Sequence, residues 1–229
     1  MGDWSQPQFW VAVVQIIVVN ILLSGDNAVV IALACRNLAP KQRRQGIFWG
    51  VLGAIGLRIV LTFFAMNLLS NPYLKLVGGA LLIWIGIKLI ADEEDGAHHV
   101  KASDRLLAAV WTIVVADVVM SLDNVMGVAA AAKGSIPLII FGLVISVPIV
   151  VLGSQIIMGL IKRFPLLIVA GGGLLGYIAG DMVVEDPAVA PWIAANAAHA
   201  AWSAPIAGLT VVVIAGVYLI RRRARPSRN

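Results

Sequence analysis

Asn20-Ile21-Leu22-Leu23-Ser24-Gly25-Asp26-Asn27 and Asp117-Val118-Val119-Met120-Ser121-Leu122-Asp123-Asn124 share one pattern: a polar residue, three apolar ones, then Ser-x-Asp-Asn. Each stretch lies inside a run apolar enough to cross a bilayer. An aspartate at the centre of a membrane helix costs about 2.5–3.5 kcal/mol on insertion scales, so the doubled group needs a compensating partner, and a bound cation supplies one.

Outward from these stretches the composition agrees. The 229-residue chain is 60% hydrophobic and 13% charged, with a mean hydropathy of +0.94. A soluble domain carries about 25% charged residues, so the chain reads as a polytopic membrane protein. The net charge of +5 does not signal nucleic acid, because the basic residues fall in short clusters between apolar runs rather than along one face. The lone Cys35 excludes an intramolecular disulfide and reads as a reduced core residue.

Apolar runs predict seven transmembrane helices, over 9–34, 46–69, 73–90, 106–132, 136–161, 164–184 and 202–220, giving an all-α fold. The basic clusters 36–44, 101–105, 162–163 and 221–228 all fall on one side if the N-terminus is outside, which the positive-inside rule requires. Residues 91–105 read as a cytoplasmic linker and 185–201 as an outer loop. His98 and His99 in that linker follow an acidic run, a pattern that a solvated loop explains without a ligand.

The two halves repeat. Ser24-Gly25-Asp26-Asn27 maps onto Ser121-Leu122-Asp123-Asn124, and Gly78-Gly79-Ala80-Leu81-Leu82 maps onto Gly171-Gly172-Gly173-Leu174-Leu175. Residues 1–90 and 106–184 therefore form two three-helix units, followed by a seventh helix and a basic tail over 202–229. An odd number of spans per unit inverts the second copy, the pattern of a secondary transporter whose site lies near the midplane. Carried forward, the second match aligns Lys88 with Asp181, a further intramembrane carboxylate.

Asn20, Ser24 and Asn27 share a helical face, as do Asp117, Ser121 and Asn124. Asp26 and Asp123 point about 100° away on a regular helix, so the spacing predicts either a separate contact or local helix distortion at 24–27 and 121–124. The donors are carboxylates, amides and hydroxyls, hard oxygen ligands that suit Mn²⁺, Ca²⁺ or Mg²⁺ and not Zn²⁺ or Cu⁺. Asn20, Ser24 and Ser121 taken alone read as interhelical glue, whereas the symmetric aspartates read as functional. Arg58, inside the second span, needs a partner, either an aspartate of this group or a helix-end carbonyl. An intramembrane metalloenzyme would need an activated water at a His-rich site, which the sequence lacks, so the reading is a transporter and not an enzyme.

These motifs, together with the glycine-rich sixth span ending Ala179-Gly180-Asp181, resemble the TerC family of integral membrane proteins, with its Alx-type and YjbE-type manganese exporters in the LysE superfamily. The resemblance implies Mn²⁺ export from the cytoplasm across a bacterial inner membrane. It implies Asp26, Asn27, Asp117, Asp123, Asn124 and Asp181 as metal ligands or proton carriers; the spacing of the motifs adds Ser24, Ser121 and Asn20 to the donor set, and Arg58 is a candidate counter-ion or a structural tether. The partners are then the transported ion, protons and the lipid bilayer, with no resident cofactor and no nucleic acid; a homo-oligomer is left open. Export of Ca²⁺ or of an amino acid is the alternative within the superfamily.

Overall fold

The structure is a computed structural model describing residues 11, 14, 18, 25–69, 71–91, 102–131, 136–197 and 199–223. Among these residues it is helical, with no strand. We number the helices α1 (Gly25–Cys35), α2 (Pro40–Leu69), α3 (Leu74–Ala91), α4 (Ala102–Ala131), α5 (Ile136–Arg163), α6 (Leu166–Val184), α7 (Ala190–Asn196) and α8 (Ala200–Arg223). All but α1 and α7 contain a stretch long and apolar enough to cross a membrane. The first predicted span is represented by α1 and by helical Val11, Val14 and Val18, and its remainder lies outside the described residues.

Several boundaries differ from the sequence reading. The second helix begins at Pro40 rather than near residue 46, because Lys41, Gln42, Arg43 and Arg44 are strong helix formers and proline suits the first turn. Residues 185–201, read as loop, contain the short helix α7, started by Pro191 in its first turn. The fourth helix starts at Ala102, inside the predicted linker, whose residues 92–101, including His98 and His99, lie outside the described set.

Most helix–helix contact falls between α6 and α8, α2 and α4, and α3 and α6, while α5 lies along α1 and α1 also meets α4. In lipid, apolar burial does not drive helices together, so close backbone approach takes over. Gly172, Gly176 and Gly180 provide it along α6. A Cβ at Gly176 would collide with the Gly208 carbonyl of α8, and one at Gly180 with that of Ala204. On the α3 side, a Cβ at Gly86 would stand 2.9 Å from the Gly172 carbonyl. Between α2 and α4, Gly50 does the same work, since a Cβ there would lie 2.7 Å from Ile113. Outward-facing Trp49, Trp84, Trp111 and Phe64 present apolar surface to lipid.

Polar ties fix the two ends of the bundle. At one end Arg36 donates to the Leu89 carbonyl at 2.7 Å, and Arg43 donates to the carbonyls of Cys35, Arg36 and Leu38. These guanidinium groups meet backbone acceptors left open at the C-termini of α3 and α1. At the other end Asp186 is completely buried and accepts hydrogen bonds from the backbone N–H groups of Tyr73, Leu76 and Ala188 at 3.0, 3.2 and 2.8 Å. Tyr73 holds a left-handed φ of 71°, which turns its N–H into this carboxylate at the start of α3. Lys75 pairs with Glu185 at 2.8 Å beside it.

Candidate functional site

The site is built where α1, α2, α4 and α5 meet. Arg58, on α2, is buried, and its Nη2 donates to Asp117 Oδ1 of α4 at 2.5 Å. Its Nε donates to Ser121 Oγ at 2.8 Å. The i, i+4 spacing of Asp117 and Ser121 puts both on one face of α4, and Ser121 Oγ in turn donates to Asp117 Oδ2 at 3.2 Å. The ring of contacts thus engages both carboxylate oxygens and leaves Asp117 charge-compensated among apolar neighbours. Of the two partners open to Arg58 from sequence, the structure places it on the aspartate.

Beside this pair lies a cavity of about 30 Å³. That volume holds about one or two water-sized occupants. Its polar lining comes from Asn27, Arg58, Asp117 and Ser146, and Ile31, Ile113, Leu143 and Val150 form part of its apolar wall. Asn27 is 7% exposed, and its Oδ1 is buried with no hydrogen-bond partner. An unpartnered buried amide oxygen is costly, by about 1–3 kcal/mol, and in a native protein calls for an explanation such as an ion or ligand. An oxygen acceptor lining a cavity beside a carboxylate is a suitable donor to a hard cation.

Asp26 is half-buried, accepts the Asn27 backbone N–H at 2.7 Å, and lies within electrostatic reach of Arg58 and Asp117. It does not line the cavity, in keeping with the 100° step between neighbouring residues on a helix. The helix distortion expected at 121–124 is absent: α4 runs as continuous α-helix from Ala102 to Ala131. Leu122 is a strong helix former, and the second motif has no glycine to release the backbone. Asp181 lies in the last turn of α6 and is exposed, outside the cavity lining. Asn20 and Ser24, and the side chains of Asp123 and Asn124, lie outside the described residues. Among the described residues no group of three or more His, Cys, Asp or Glu side chains gathers at a metal-binding distance.

The fifth predicted span, 136–161, appears as α5, but its contribution to the site was not read from the sequence. Ser146 is buried in the cavity wall, its Oγ donating to the Leu143 carbonyl at 2.7 Å. Two residues on, Pro148 sits inside the helix, and its missing N–H deprives the Val144 carbonyl of its usual i+4 partner. A proline in mid-span beside a serine was the available signal, since backbone irregularity at membrane depth is tolerated where it borders protein or a cavity.

What the fold and site define is a multi-pass helical membrane protein with a buried ion pair and, between four of its helices, a largely apolar cavity whose polar wall is Asn27, Arg58, Asp117 and Ser146. Residues 5–224 match the model of the integral membrane protein TerC family, and the chain belongs to that family. It is 40% identical over 213 residues to the membrane protein YjbE of Bacillus subtilis (strain 168), covering 93% of this chain and 97% of that one. It is 26% identical over 187 residues to the membrane protein YceF of the same organism, covering 78% and 72% of the two chains. With the inner membrane protein YgdQ of Escherichia coli (strain K12) it shares 25% identity over 180 residues, covering 70% and 75%. No solved structure matches the chain significantly.

Proposed function

We propose that the protein is a secondary transporter that exports a divalent cation, Mn²⁺ foremost, from the cytoplasm across a bacterial inner membrane, in exchange for protons. The observation that carries this reading is Asn27, which lines a small cavity together with Asp117 and whose buried Oδ1 has no hydrogen-bond partner. The substrate ion takes Asn27 and Asp117 as ligands, with Asp26, Asp123, Asn124, Ser24, Ser121 and Asn20 completing the donor set or its surroundings. Asp181 serves as a proton carrier nearer the end of its helix. The contact pattern supports an inverted pair of three-helix units, since α2 against α4 and α5 against α1 are the contacts that a two-fold exchange would interconvert. The cavity's size favours an ion over an amino acid. YgdQ's inner-membrane description supports the location.

The test uses inverted vesicles loaded with a fluorescent metal reporter, in which export becomes uptake. The parent protein should take up Mn²⁺ faster when a proton gradient is imposed, and Asp26→Ala and Asp123→Ala proteins that insert normally should not. Uptake by those variants equal to the parent removes the site assignment, and labelled lysine movement in place of Mn²⁺ moves the protein to the amino-acid alternative.

A further inference from the structure

We infer that Arg58 is a built-in competitor for the transported ion, and that its displacement is what makes the site select divalent over monovalent cations. The inference rests on the divalent-cation reading above and concerns the selectivity of that same site. Arg58 holds Asp117 Oδ1 at 2.5 Å and Ser121 Oγ at 2.8 Å, and lines the same cavity as Asn27, whose buried Oδ1 has no hydrogen-bond partner. The guanidinium is always protonated in a protein, so its charge cannot be discharged in place. An incoming cation that takes Asp117 Oδ1 as ligand therefore competes with Arg58 for that oxygen, and Arg58 cannot yield by losing its proton.

The energetics of that exchange depend on charge. Replacing Arg58 by K⁺ or Na⁺ leaves the charge opposite Asp117 unchanged, and gives up two charge-assisted hydrogen bonds whose geometry suits a guanidinium. A divalent ion places twice the charge against the carboxylate, and in a low-dielectric interior that added attraction is large. Asn27 Oδ1 then finds a partner as well. Monovalent ions, present in great excess in any cytoplasm, are refused without a size filter. The tethered arginine also keeps the carboxylate compensated after the substrate leaves.

Equilibrium binding of Mn²⁺ to the purified full-length protein in detergent, with and without K⁺ at fixed ionic strength, tests this. In the parent protein, replacing K⁺ by a large organic cation should leave Mn²⁺ affinity unchanged. Arg58→Met should bind Mn²⁺ at least about thirtyfold more tightly, the gain for a site whose ligand is otherwise free about one-thirtieth of the time. Its Mn²⁺ binding should also become sensitive to K⁺. Arg58→Lys, which keeps the charge and loses the fork, should tighten Mn²⁺ binding while staying resistant to K⁺, and it serves as the readout if Arg58→Met does not fold. Weaker Mn²⁺ binding in both variants, with no K⁺ effect, would make Arg58 a structural partner of Asp117 and overturn the inference. Absence of Mn²⁺ binding to the parent protein would instead strike at the transport reading itself.

Discussion

Removing one member of the Arg58–Asp117 pair should be far more damaging than removing both. Each side chain is at most 10% exposed, and the two meet at 2.5 Å with Ser121 bridging them. Arg58→Met leaves an ionised carboxylate buried without its counter-charge, which costs about 3–5 kcal/mol. Asp117→Leu leaves the guanidinium in the same position, at a similar cost of about 3–5 kcal/mol. The double substitution removes both charges of the pair and places two apolar side chains among Ile55, Ile113 and Val147. It should recover most of the loss, giving a coupling of at least about 2 kcal/mol, well above the average of about 0.6 kcal/mol for interhelical hydrogen bonds in a membrane protein. The assay is a double-mutant cycle on reversible unfolding in mixed micelles. Additive losses, or a coupling near about 0.6 kcal/mol, would refute the claim that this pair is an ionic unit.

Three further outcomes follow from other parts of the molecule. Asn27→Leu should leave thermal stability unchanged or raise it, because it deletes an unsatisfied buried oxygen, yet abolish Mn²⁺ uptake; a destabilised variant that still transports would make Asn27 structural. Asp186→Ala should lower stability by about 1–3 kcal/mol at neutral pH, since it strips the charged acceptor from part-buried N–H groups at the start of α3. Burial alone would raise the Asp186 pKa, but the N–H donors of Tyr73, Ala188, Leu76 and Lys75 outweigh it and hold the carboxylate below its usual range. Its contribution is thus fully present above the unfolded value of about 4 and fades as pH falls through the lower folded value, so the parent and Asp186→Ala melting curves should converge only in strong acid. Gly180→Leu should cost about 1–3 kcal/mol or more and loosen α8, because its Cβ meets the Ala204 carbonyl and Pro205, whereas Gly159→Ala, which meets open space, should be tolerated in the same thermal-shift assay.

How much of this was legible in the chain depends on the range of the interaction. The intramembrane charges Arg58 and Asp117 announce themselves, because each is too costly in lipid to be left alone, and the i, i+4 step from Asp117 to Ser121 fixes their shared face. That the two charges choose one another is a tertiary fact, set by Gly50 and its neighbours drawing α2 onto α4. Asp186 was invisible in the sequence: it stands beside Glu185 in what reads as a solvated turn, and the N–H groups of Tyr73 and Leu76 that define its role lie in the other half of the chain. The distortion expected at 121–124 rested on the 100° offset of Asp123 from the face of Asp117 and Ser121, but α4 stays a regular helix there, with Leu122 a strong helix former. The backbone hydrogen bond that is missing beside the cavity is instead at Pro148 in α5, a residue that a motif-centred reading passes over.

The most direct test of the central claim is Mn²⁺ flux through the purified protein in liposomes under an imposed pH gradient, compared between the parent and Asn27→Ala. The parent should move Mn²⁺ with the gradient, and Asn27→Ala should move none at equal protein incorporation. Equal flux through both, or a parent that moves no Mn²⁺ under either gradient polarity, would contradict it.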